Sequence, residues 1–231
     1  MKRNGGFSKL VATIGSTALL LFLMFSLVLG IGLSKPIYGV LQKPLGVADY
    51  IGISQSDLDN VTDVFCDYTR GVRDNLDVTV TVDGAQEQMF NEREISHMVD
   101  VKNLYLAGVQ ISYFLAAMAI QAFTALFITH QHKTIYRVHS RVSFVFLLVC
   151  AALGVYFAVD FNGFWTNVHL ILFTNNLWLL NPATDRMIRM FPLEFFLALS
   201  GIILGTFAAL FTALWVFAGS RVRAIKKAEQ E

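Results

Sequence analysis

The chain is poor in the residues that usually announce a catalytic or redox centre. It has two cysteines in 231 residues. Cys66 falls in a polar stretch and Cys150 inside an apolar run, so the two are expected at different levels and not in one disulfide. There is no G-x-S-x-G elbow, no H-E-x-x-H helix and no glycine-rich phosphate loop, which removes the common serine-hydrolase, zinc-protease and nucleotide-binding readings. Any enzyme built on this sequence is expected to take its nucleophile from the substrate. Charge is also sparse, at 15% of residues with a net of +1. No basic stripe or base-stacking motif is present, so no nucleic-acid partner is expected.

What the chain has is apolar length. Hydrophobic residues make up 55% and aromatics 13%, the composition of a membrane protein. Four runs, at 10–33, 104–129, 142–159 and 193–219, approach or exceed the roughly 20 residues that cross a hydrocarbon core. A fifth, 164–180, is interrupted by Thr166, Asn167, His169, Thr174, Asn175 and Asn176, and reads as an interfacial or re-entrant helix. The expected fold is mainly α: four transmembrane helices, a small α+β extracytoplasmic domain and an interfacial helix.

Basic residues close to the span ends set the orientation. Lys2, Arg3 and Lys9 precede the first run, Lys133, Arg137 and Arg141 fill the second loop, and Arg221, Arg223, Lys226 and Lys227 follow the fourth run. The loops at 34–103 and 160–192 hold most of the acids. This predicts cytoplasmic segments at the N-terminus, at 130–141 and at 220–231, with 34–103 and 160–192 outside. Residues 1–33 are expected to be a retained anchor, because the apolar core is longer than that of a cleaved leader and no A-x-A-like site follows.

Residues 34–103 are patterned as a domain. Leu58, Val61, Val64, Phe65, Tyr68 and Val72 recur at helical spacing, which predicts a helix over 57–70 that opens at Ser56 with Asp59 and stops near Gly71. Val78–Val82 alternates as a strand, Asp83-Gly84 is a hairpin turn, and a return strand is expected over 86–90. Asn91 with Glu94 marks a further helix start, which fixes the direction of His97. Arg93, Glu94 and Asp100 fall on its face. In the other long loop, Trp165, Thr166, His169, Phe173 and Asn176 share a helical stripe. Asn181-Pro182 predicts a new short helix carrying Asp185, Arg186 and Arg189. The two arginines are expected either to pair with Asp185 or to meet lipid headgroups.

A polar group at a membrane is costly and by default marks function. His97 and His169 lie on the same predicted side, each with hydrogen-bonding neighbours and apolar flanks. An imidazole accepts and returns a proton near neutral pH without a metal. Each histidine taken alone reads first as an interfacial side chain satisfied by a backbone carbonyl, a reading that the pairing of two on one side weakens. His130, His132 and His139 belong to the basic loop. Glu94-x-x-His97 has the spacing of metal-binding helices, but no second pair accompanies it, so neither metal nor cofactor is expected.

At NEREISHMVDVK (91–102) and VHLILFTNNLWLLNPATDRMIRMFP (168–192), and in the order of its four spans, the chain resembles the lipoprotein intramolecular transacylase family of Gram-positive bacteria. The resemblance covers nearly the whole chain. It implies movement of the sn-2 acyl chain of a diacylglyceryl lipoprotein to the α-amino group of its N-terminal cysteine, giving a lyso-form lipoprotein. The partners it implies are that lipoprotein and membrane lipid. It also maps the family's two functional histidines onto His97 and His169. An ester-to-amide shift needs a base and an oxyanion stabiliser, while the substrate supplies both nucleophile and acyl donor. His97 is then expected as base, oriented by Glu94 or Asp100. His169 is expected as oxyanion stabiliser or acid, supported by Asn175 or Asn176, with the two roles interchangeable. The rival readings are a non-catalytic accessory protein, a metal or haem membrane protein, and a transporter.

Overall fold

The structure is a computed structural model that describes residues 5–228 and 230. Lys2 and Arg3 of the basic signal lie outside the described residues. The chain separates into two compact units, one of residues 5–27, 109–161 and 204–228 and the other of residues 28–108 and 162–203.

The first unit is all helix. It takes in most of α1 (Gly5–Gly32), the later turns of α5 (Glu92–Ile128), α6 (His132–Val159) and most of α9 (Leu193–Ala228). These four helices are long and apolar enough to cross a membrane. Each covers its expected apolar run to within a residue and extends beyond it, because helical backbone continues through the flanking polar turns. Its core is built on Leu20, Phe207 and Phe211, with the Phe207 and Phe211 rings stacked 3.9 Å apart and Phe146 lying 5.6 Å from Phe211. Large apolar side chains such as Ile120, Phe127, Val149 and Phe217 face outward, which is stable only in an apolar solvent. Association between such helices rests on close packing of small residues. Gly15 supplies it: a Cβ there would meet the Ala122 Cβ at 2.7 Å.

The second unit holds α2 (Lys35–Gln42), α3 (Val47–Ile51), α4 (Gln55–Thr69), β1 (Thr79–Val82), β2 (Ala85–Gln88), the opening turns of α5, nearly all of α7 (Phe161–Leu172), α8 (Arg186–Met190) and the start of α9. α4 begins two residues before the expected position, because Ser54 and not Ser56 caps it: Ser54 Oγ accepts from the Asp57 amide at 3.0 Å. It ends where Gly71 turns left-handed, φ 75°. The hairpin turns on Asp83 (φ 50°) and Gly84 (φ 83°), the two positive values that a two-residue turn matching strand twist demands. Val82 pairs with Ala85 and Thr79 with Gln88. The return strand stops at Gln88, short of the expected residue 90, since Met89 and Phe90 turn into the core.

Two expectations in the second long loop are corrected. The helix at 164–180 ends at Leu172, because Asn175 folds the chain onto itself. Its side-chain oxygen accepts from the Leu177 amide at 3.1 Å and its carbonyl from Trp178 Nε1 at 3.0 Å. Asn181-Pro182 opens a turn instead of a helix, with the Ala183 amide donating to Asn181 Oδ1 at 3.0 Å. α8 starts only at Arg186, after Asp185.

A prediction follows from the Gly15 contact. Gly15→Val forces a side chain into a space already filled by Ala122 and is expected to cost about 1–3 kcal/mol. Thermal unfolding of the detergent-solubilised protein reads it, and an unchanged melting temperature would show that this contact is not a packing constraint.

Candidate active site

The site is assembled at the start of α5. Asn91 and Glu94 form a reciprocal capping box: the Glu94 amide donates to Asn91 Oδ1 at 3.0 Å and the Asn91 amide to Glu94 Oε2 at 2.8 Å. Glu94 is 1% exposed. Its second oxygen, Oε1, accepts from the Met187 amide of α8 at 2.5 Å. Burial pushes the Glu94 carboxyl above its usual range, and the two backbone donors work against that shift. Beside it Asp185, 4% exposed, accepts from Asn91 Nδ2 at 2.9 Å, from the Asn181 amide at 2.6 Å and from Thr184 Oγ1 at 3.0 Å. Burial alone would raise the Asp185 pKa, but these donors outweigh it and hold the carboxyl below its ordinary value. Arg186 pairs with Glu87 and with the Gln88 carbonyl, and not with Asp185 as one of the two expectations had it.

This scaffold points His97 inward. α5 has 37 residues, about 55 Å at 1.5 Å per residue, longer than a hydrocarbon core of roughly 30 Å. Its apolar run begins at Leu104, and residues 92–103 precede the spanning part. His169 stands in the last turn of α7. Both histidines are 8% exposed, and their ring centroids are 6.4 Å apart. Phe173 lies 5.2 Å from the His97 ring and 5.6 Å from His169. Trp165 and Trp178 lie 4.5 Å and 4.8 Å from His169. The two imidazoles open on a mostly apolar cavity of about 290 Å³ whose walls include Tyr38, Phe65, Met98 and Phe195.

The hydrogen bonds distinguish the two rings. His169 Nδ1 is 2.8 Å from the Trp165 carbonyl. A carbonyl only accepts, so Nδ1 carries the proton and the neutral ring presents a bare Nε2. His97 Nδ1 is buried with no hydrogen-bond partner among the described residues. Burial lowers the His97 pKa to about 4, with a further push from His169. His169 is lowered too, again by burial, with the Trp165 bond opposing. Both rings are therefore neutral at physiological pH.

The remaining expected site residues fall into two places. Glu94 turns away from His97 toward the backbone of α8, as above. Asp100 accepts from Asn175 Nδ2 at 2.8 Å, and Arg93 donates to the Asn176 carbonyl. Arg93 and Asp100 thus hold the 173–180 strap from either side of His97 along α5, and that strap carries Phe173 and Trp178. Asn175 and Asn176 act there through the strap, not by a hydrogen bond to His169. Cys66 is fully buried in α4, and burial pushes its thiol up to about 11, far from a nucleophile's range. Sequence reasoning missed Tyr38 and Phe65 as cavity walls. No local signal marks them, since both look like ordinary apolar positions of α2 and α4.

A helical protein with four helices long and apolar enough to cross a membrane is a multi-pass membrane protein. The model of the family described as lipoprotein intramolecular transacylase Lit matches residues 13–196, and the chain belongs to that family. Its structure is similar to the in meso structure of the membrane integral lipoprotein intramolecular transacylase Lit from Bacillus cereus. The TM-score is 0.77 at 20% identity, over 98% of this chain and 100% of that one. Two variants of the Bacillus cereus protein, each with one histidine replaced, by arginine or by alanine, match with TM-scores of 0.73 at 20% identity. They cover 98% and 99% of this chain and 95% and 98% of theirs. No curated protein matches by sequence.

The lowered His97 pKa carries a stability consequence. Between the unfolded value near 6.5 and the folded value near 4, the unfolded chain binds a proton that the folded chain does not. The fold therefore loses stability as pH falls through that window. His97→Gln is expected to flatten this part of the melting-temperature profile. An unaltered slope would place the acid sensitivity elsewhere. Glu94→Ala leaves the Asn91 and Met187 amides without their acceptor and is expected to cost about 1–3 kcal/mol for each, read by the same melts.

Proposed function

We propose that the protein moves the sn-2 acyl chain of a diacylglyceryl lipoprotein to the α-amino group of the lipoprotein's own N-terminal cysteine. The amine nitrogen attacks the ester carbonyl, and the tetrahedral intermediate collapses by breaking the carbon–oxygen bond. One proton moves from the nitrogen to the glyceryl oxygen, leaving an amide and a lyso-glyceryl group. No water, metal or enzyme nucleophile enters the balance. The observation that carries this reading is the pair of buried, neutral imidazoles at the apolar cavity of a chain in this family.

His169 is the better base of the two, because its Nδ1–H is committed to a carbonyl and its Nε2 lone pair is available. His97 is then the hydrogen-bond donor to the developing oxyanion and to the leaving oxygen. This is the exchanged form of the two interchangeable assignments. Holding amine and ester together supplies much of the acceleration, since orientation alone is worth about 7–11 kcal/mol in well-aligned intramolecular reactions. The aromatic walls keep water from hydrolysing the ester, which is the competing reaction. Glu94 and Asp100, Asn175 and Asn176 are positioning residues for α5 and the strap.

The basic residues support cytoplasmic termini and a cytoplasmic 130–141 loop, with the histidine unit on the extracytoplasmic side where lipoproteins reside. Leu170 and Ile171 are exposed beside the buried His169, which supports α7 as an interfacial helix resting its apolar face on lipid.

Mass spectrometry of lipoprotein N-termini tests the reaction. Cells carrying the protein are expected to yield lyso-form termini, and His97→Ala and His169→Ala are each expected to lose about 10²–10⁴-fold in rate. Near-normal product from either variant at equal protein level would end the paired-histidine mechanism. For orientation, Gly84→Cys in a Cys66→Ser background is expected to react with an impermeant thiol reagent in intact cells. Labelling only after lysis would place the histidine unit inside.

A further inference from the structure

Beside the histidine cavity lies a second, more polar one of about 250 Å³, whose lining includes Asp100, Asn103, Thr174 and Asn175. Leu104, Leu172 and Phe173 belong to the walls of both cavities. Asp100 stands three residues after His97 on α5, so the two side chains lie one helical turn apart, roughly 5–6 Å between their β-carbons. One carboxylate oxygen of Asp100 accepts from Asn175 Nδ2 at 2.8 Å, while the other has no hydrogen bond among the described residues. The polar cavity therefore offers a fixed negative charge and several amide and hydroxyl groups one turn from His97. Across Phe173 lies the apolar space.

We propose that this polar cavity is the subsite for the substrate's primary α-ammonium group and first peptide unit, with Asp100 as the residue that binds the ammonium. The inference rests on the acyl-transfer reading and names its acceptor subsite. An N-terminal amine is mostly protonated near pH 7, with a pKa of about 7.7–8.0, so the form that arrives from solution is a cation. Asp100 captures it by a charge-assisted hydrogen bond through its uncommitted oxygen. Asn103, Asn175 and Thr174 present donors and acceptors to the amide that follows. The captured ammonium loses one proton to bulk water by way of a neutral imidazole, which is thereby restored before the amine attacks, and the acyl chain lies on the other side of Phe173. The division explains why the walls change from polar to aromatic over one helical turn. The substrate changes from ammonium to hydrocarbon over the same distance.

The test uses the full-length protein in lipid bilayers and a non-transferable probe, a dialkylglyceryl cysteine pentapeptide with ether in place of ester linkages. The probe is made with a free amine and with an N-acetyl cap, and binding is followed by tryptophan fluorescence. The native protein is expected to bind the free-amine form about tenfold more tightly or better, the usual scale of a hydrogen bond to a charged group. Equal binding of the two forms overturns the proposal without any variant. Asp100→Asn, which keeps an acceptor for Asn175 but removes the charge, is expected to abolish the preference while leaving N-acetyl binding unchanged. Asn175→Ala, which releases the strap but keeps the charge, is expected to alter both forms alike. A uniform effect of Asp100→Asn on both forms would make Asp100 a latch for the strap only. The transfer reading is judged separately, by lyso-form product from the ester probe with the native protein.

Discussion

The arrangement depends on one buried carboxylate. Glu94 closes the N-terminal cap of α5 with one oxygen and holds the Met187 amide of α8 with the other. A carboxylate this deeply buried is tolerated only because each oxygen has a backbone donor. Those donors tie two elements more than ninety residues apart in sequence. Asn91 reinforces the tie through Asp185. From this joint the direction of His97 follows, because the cap sets the first helical residue, Glu92, and so the face on which His97, the sixth, falls. The same joint brings α8 and the Phe191–Phe195 segment, part of the aromatic wall, beside α5.

The second constraint is the strap between α7 and α8. It has no regular hydrogen-bond ladder, and its polar groups would be costly at a membrane if left unpaired. They are satisfied in part locally, through Asn175 with Leu177 and Trp178, and in part by Arg93 and Asp100 from α5. The strap in turn presents Phe173 and Trp178 to the imidazoles. Two charged residues flanking His97 thus determine how dry its surroundings are. Desolvation then favours the neutral form of both imidazoles, the form that the proposed proton acceptor needs. Charge at the rim and absence of charge at the centre are parts of one design.

The chemistry asks little of the protein beyond this. On the proposed reading, an intramolecular acyl shift brings its own nucleophile and its own acyl donor, so two imidazoles, aromatic walls and a polar annex would suffice in kind. The thiol of Cys66 is consistent with that economy, since it is buried in the packing of α4 and burial raises its pKa. The helical unit contributes a lipid-compatible exterior and close packing at Gly15.

Much of the plan was legible in the chain. Four long apolar runs dictate four helices, because lipid offers the backbone no partner and a helix closes its hydrogen bonds within the segment. Asp83-Gly84 dictates the hairpin through its two positive φ values, and Asn91 with Glu94 dictates the start of α5. These are local effects, settled by residues within a few positions of one another. What no local pattern carried were the partners chosen across the fold. Glu94 lay on the face of His97 by helical spacing, yet its carboxylate is taken by a backbone amide of α8. The run at 164–180 had the composition of one helix, but it breaks at Leu172 because Asn175 competes for the backbone and Asp100 holds it there. Arg186 had an acid beside it in sequence and chose Glu87 of the hairpin. Tyr38 and Phe65 became cavity walls only when α2 and α4 packed against the aromatic start of α9. The sequence by itself determined the elements, since their hydrogen bonds close within the element. The tertiary structure decided which polar groups satisfy one another between elements, since burial makes every such group take whichever partner the packing brings within reach.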